Sequence, residues 1–84
     1  MKPEKKRSEL VFGEAIRNFR LEKGLSQTAL AKMIGISSQS LCDIENGRRT
    51  PSPKRAAIIA QKIGEPEAVW VRLALQHELR RFLC

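Results

Sequence analysis

Glycine and serine punctuate this chain at intervals suited to short helices: Gly24-Leu25-Ser26, Gly35-Ile36-Ser37, Asn46-Gly47, Ser52-Pro53 and Gly64-Glu65-Pro66. Glycine ends a helix cheaply because it enters the left-handed conformation, and a serine cap or a proline in the first turn opens the next one. Between these marks the apolar residues recur at helical spacing. Phe12, Ala15, Ile16 and Phe19 line a first helix that Ser8 caps and Gly24 ends. Ser26 opens a second with Ala29, Leu30, Met33 and Ile34, and Ser37 a third with Leu41 and Ile44 inward. After a loop over Arg48 to Pro51, Ser52-Pro53 starts a fourth with Ala56, Ile59, Ala60 and Ile63, and Glu65-Pro66-Glu67 opens a last helix running towards Leu83. There is no alternating run of β-branched residues, no hairpin dipeptide between apolar segments and no Tyr. The chain is predicted to be all-α, with five helices.

Its 84 residues allow one small domain and no second core. The net charge of +7 is unevenly spread. Residues 1–64 hold 13 Lys and Arg against 6 Asp and Glu, a surplus of seven, whereas residues 65–84 hold three of each. Such a field suits a polyanion, nucleic acid before an anionic membrane surface, and the balanced last helix weakens the membrane reading. No apolar run reaches the roughly 20 residues of a membrane span, and the basic start lacks the apolar stretch of a signal peptide, so a cytoplasmic, nucleoid-associated protein is expected. Cys42 and Cys84 lack the spacing of a disulfide framework or a zinc site and read as buried or spectator thiols, and His77 reads as a surface residue. No metal, no cofactor and no catalytic constellation is expected.

Gly24-Leu25-Ser26-Gln27-Thr28-Ala29-Leu30-Ala31, Ile34-Gly35-Ile36-Ser37 and Ile44-Glu45-Asn46-Gly47-Arg48-Arg49, with Pro51 beyond, closely resemble the lambda-repressor-like (Cro/C1-type, XRE) helix-turn-helix family. The resemblance covers about Val11 to Gly64. It implies a DNA-binding domain over residues 8–64; the flexible basic arm over 1–7 and the packing and dimerising helix over 65–84 lie outside it and are read from their own residues. Ala31 is small where two helices cross closely, and Gly35 supplies the turn. Leu30, Ile34, Ile36, Leu41 and Ile44 are expected to close the core against the first helix. In relatives, the positions of Arg20 and Glu45 pair as a structural salt bridge.

If Ser37 caps the third helix, Ser38, Gln39 and Ser40 fill its first turn, the part that recognition helices press against base edges. Gln39 is the foremost base contact, since an amide matches the N6 and N7 edge of adenine, and Ser38 is a more tolerant reader. Asp43 lies where relatives often contact a base. Its carboxylate either accepts from cytosine N4 or points aside and repels wrong registers. Gln27 and Ser40 are expected at phosphates, and the resemblance adds Asn46, Arg48, Arg49 and Thr50 as a phosphate clamp that Lys54 and Arg55 extend. The basic arm either follows the DNA, in the backbone or a minor groove, or serves solubility.

The last helix is apolar nearly all round in its first half, more than one face of one domain requires. Val69, Leu73, Leu75 and Phe82 are therefore expected at a homodimer interface. In the other reading, Trp70 and Leu73 fill the core of a monomer. The expected function is sequence-specific regulation of transcription, as a repressor, by a homodimer on a palindromic operator of double-stranded DNA. The alternative is an antitoxin-like protein that neutralises a toxin or another protein partner through its last helix and autoregulates its operon.

Overall fold

A computed structural model describes the backbone of residues 11–83 and the side chains of residues 11–76. Five helices follow in order: α1 (Phe12–Glu22), α2 (Gln27–Ile34), α3 (Ser38–Glu45), α4 (Pro53–Ile63) and α5 (Glu67–Leu83). Among the described residues there is no strand. The basic arm, His77, Phe82 and Cys84 lie outside the described backbone or side chains.

Three of the starts are serine caps. Ser26 Oγ accepts from the backbone N–H of Ala29 at 3.0 Å, Ser37 Oγ from Ser40 at 3.0 Å and Ser52 Oγ from Arg55 at 3.2 Å, with Pro53 at the first position of α4. The first helix differs from expectation. It begins at Phe12, too late for a cap by Ser8, and Val11 holds the N-cap position. The Val11 carbonyl accepts from Ala15 N–H, and Glu14 Oε1 accepts from Val11 N–H at 3.3 Å, so the acid three residues on does what the serine was expected to do. At the turn between α2 and α3, Gly35 has φ 76°, a left-handed conformation that a side chain would strain.

The core runs through all five helices. Phe12, Ile16 and Phe19 of α1 pack with Leu30, Ile34, Leu41, Ile44, Ile59 and Ile63, and the alanines at 15, 31, 56, 60 and 74 let the backbones approach. Ile36 is half-buried against this cluster, while Met33, which the spacing groups with Leu30 and Ile34, is exposed. The last helix closes the core. Trp70 is fully buried and meets Phe12 edge to face, with ring centroids 5.4 Å apart. Leu73, expected at a dimer interface, is only 1% exposed. It lies between Trp70 and Ala74 on the stripe that faces α1 and α4, so it is a core residue and cannot reach a partner. Val69 is half-buried and also packs on the core. Leu75, on the outward side of the same helix, stays exposed.

A close contact sets α3 against α1. Gly13 is buried on α1, and a Cβ there would collide with the carbonyl oxygen of Ile44 and lie 3.1 Å from that of Glu45. The C-terminal turn of α3 therefore rests on bare α1 backbone.

Candidate nucleic-acid interface

The exposed face of α3 is assembled from its two ends. At its start, Ser37 caps the backbone and its hydroxyl also donates to Ser40 Oγ at 2.9 Å. This keeps Ser40 half-buried within the cap, while Ser38 and Gln39 of the same turn are exposed. At its end, the backbone N–H groups of Arg48 and Arg49 donate to the Asp43 carbonyl at 2.9 and 3.3 Å, folding the basic loop back on the helix. Asn46 caps that end with its side chain, its Nδ2 donating to the Cys42 carbonyl at 2.8 Å. One of the expected phosphate contacts is thus already a cap.

Asp43 lies between these ends. Its Oδ1 accepts from Gln39 Nε2 at 3.2 Å and from Arg48 Nε at 3.0 Å. The Arg48 hydrogen bond, helped by that from Gln39, holds the Asp43 carboxyl below its ordinary pKa. Of the two readings that the sequence leaves open, the side chain is turned along its own helix, between a base-reading candidate and a phosphate-binding candidate. Nothing in the chain's residue pattern signals this, because Arg48 reaches Asp43 only once the loop has folded.

Behind the surface sits a buried ion pair. Arg20 Nε donates to Glu45 Oε2 at 2.8 Å and Nη2 to Oε1 at 3.1 Å, a bidentate grip with side chains 13% and 2% exposed. Arg20 Nη1 donates to the Leu25 carbonyl at 3.1 Å, and the Glu45 hydrogen bonds raise the Arg20 pKa above its ordinary value. Gln27 joins the same carboxylate, its Nε2 donating to Glu45 Oε1 at 3.1 Å. The amide expected at a phosphate is therefore engaged inside the protein. One carboxylate fixes α1, α2 and α3 together.

Across the basic loop, Arg49, Thr50, Pro51, Ser52 and Arg55 face Ile36, Ser40, Ile44 and Ile59 around a cleft of about 170 Å³. Lys54 is exposed on the first turn of α4 beside it. The structure thus groups Ser38, Gln39, Asp43, Arg48 and Arg49 on α3 and its loop, sets Thr50, Lys54 and Arg55 at the edge, and gives Gln27, Ser40 and Asn46 internal partners. Among the described residues no three of His, Cys, Asp and Glu converge as metal ligands, and no helix is long and apolar enough to cross a membrane.

A family model described as "Helix-turn-helix" matches residues 16–70, more than half of the chain. The chain is 50% identical over 49 residues to the ImmF control region 10 kDa protein of Bacillus phage phi105, covering 58% of this chain and 54% of that protein, little more than half of its length. It is 49% identical over 49 residues to the uncharacterised HTH-type transcriptional regulator YazB of Bacillus subtilis, covering 67% of it. An uncharacterised HTH-type transcriptional regulator of Methanothermobacter thermautotrophicus is 41% identical over 49 residues, with 71% of it covered. No solved structure matches the chain. A short α2, a glycine turn and a capped α3 on a shared core are the architecture of that family, and the chain belongs to the Cro/C1-type helix-turn-helix family of DNA-binding transcriptional regulators.

Proposed function

We propose that the protein is a sequence-specific transcriptional repressor that binds a palindromic operator as a homodimer, with α3 in the major groove. The observation that carries this reading is the exposure of Ser38 and Gln39 on the first turn of α3, beside a basic loop tied to the same helix through Asp43. In it, Gln39 reads adenine and Ser38 a neighbouring base, while Arg48, Arg49, Thr50 and Lys54 hold phosphates. The backbone N–H groups at the starts of α2 and α3 add phosphate contacts without spending Gln27 or Ser40 side chains. Similarity to a protein of a phage control region supports a regulatory role, and its partial coverage leaves the operator to experiment. Dimerisation falls to the outward side of α5, which carries Leu75, now that Leu73 and Trp70 are counted in the core.

Selection of bound sequences from random duplex DNA tests the reading. It should enrich a two-fold symmetric site whose half-site centres lie about 10–10.5 base pairs, or a small multiple, apart. Failure to enrich any sequence would remove the specific-binding role, and enrichment of a single asymmetric half-site would remove the dimer. In that second case the outward side of α5 would be free for an unlike protein.

A further inference from the structure

We infer that Asp43 is a positioning residue that fixes the orientation of the Gln39 amide, so that the recognition helix accepts adenine and rejects guanine at one position of each half-site. This rests on the base-reading role proposed for Gln39. The chemistry of the pair decides the orientation. A carboxylate has no proton to give, so only the N–H side of an amide can face it, and Gln39 Nε2 does so at 3.2 Å. The carboxylate in turn cannot swing away freely, because Arg48 Nε holds the same oxygen at 3.0 Å and the Arg48 backbone is bonded to the Asp43 carbonyl. Gln39 and Asp43 are four residues apart on one helix face, where such a bond forms without distortion.

The consequence lies in what remains of the amide. With one N–H committed to Asp43, Gln39 keeps one N–H and one carbonyl oxygen, the complement of adenine N7 and N6–H. The edge of guanine presents two acceptors, N7 and O6. An unrestrained glutamine can turn both N–H groups to them; a glutamine held by Asp43 has only one to offer and would set its own oxygen against O6. Asp43 therefore acts on specificity without touching a base, and Arg48 contributes by steadying it.

The test measures binding of the full chain to its selected operator and to the operator with guanine in place of adenine at the position that Gln39 reads. The wild type should prefer adenine by about tenfold or more. Asp43→Ala should bring the two operators within about threefold of each other, and Asp43→Ala combined with Gln39→Ala should show no loss of preference beyond that of Gln39→Ala alone. Asp43→Asn can donate to the Gln39 oxygen as well as accept from its N–H, so it no longer fixes the amide and should relax the preference towards that of Asp43→Ala. A general structural defect would weaken both operators alike and leave their ratio intact, so an intact ratio in Asp43→Ala overturns the inference while leaving Gln39 a reader. Full preference retained in Asp43→Asn would show that an acceptor-only partner is not what orients the amide and overturn it as well. Relaxation in Asp43→Ala at a different base pair would make Asp43 itself a reader. If Gln39→Ala alters no base preference, the proposed reading falls and the inference with it.

Discussion

The guanidinium of Arg20 grips both carboxylate oxygens of Glu45, joining the last turn of α1 to the end of α3. Glu45 is almost wholly enclosed, so removing its partner leaves a buried charge with only Gln27 to hold it. Arg20→Ala should lower unfolding free energy by roughly 3 kcal/mol, the range for breaking a buried pair. Chemical denaturation checks this, and a change under about 0.5 kcal/mol would class the pair with inconsequential surface bridges.

Gly13 carries a second such dependence. Gly13→Ala improves helix propensity, which alone would stabilise, but drives a methyl into the Ile44 carbonyl. Overpacking against backbone should win, costing about 1–3 kcal/mol. Thermal melts with a raised midpoint would show that α3 can shift away at no expense.

Arg49→Ala should weaken specific and random DNA to similar extents and flatten the dependence of log affinity on log salt by about one unit. Titrations over a range of salt concentrations measure both. An unchanged slope would take Arg49 out of the phosphate clamp.

Acid should dissolve the Asp43 bonds only late. The Asp43 carboxyl titrates below its ordinary value of about 3.9 because Arg48 hydrogen-bonds its charged form. The contribution of these bonds is thus complete above the unfolded value and is lost as pH falls through the lower folded one. Carboxyl NMR titration should show this low midpoint, and Arg48→Ala should move it up. An unmoved midpoint would mean that Arg48 does not pair with Asp43 in solution.

The exposed Leu75 offers a cleaner probe of assembly than truncation, since cutting the chain from Arg72 would strip Leu73 and Ala74 from the core. Leu75→Lys should leave the melting temperature of the fold within a few degrees and shift sedimentation from dimer towards monomer. Unaltered dimerisation would move the interface elsewhere.

Much of the fold was legible because helix ends are local chemistry: Ser26, Ser37 and Ser52 cap where their spacing predicts, and Gly35 turns between α2 and α3. The start of α1 is not legible in the sequence because Ser8 and Val11 both precede the same apolar stripe, and the return bond from Glu14 decides between them. Leu73 and Leu75 look alike in a helix apolar on two sides; only the place of α4 and α1 assigns one to the core. Gly13 reads as a weak helix former until the α3 backbone lies against it. At the site, the exposed positions of Ser38 and Gln39 follow from the Ser37 cap, whereas the internal bonds of Gln27, Asn46 and Asp43 depend on rotamers and on a loop that sequence spacing does not specify.

The most direct measurement is competition between the selected operator and random duplex for the wild-type chain at one physiological salt concentration. A preference of about 10³-fold or more for the operator is expected, carried by base contacts from α3. A ratio within about tenfold would contradict it, making the basic surface a general DNA-binding face without a reading helix.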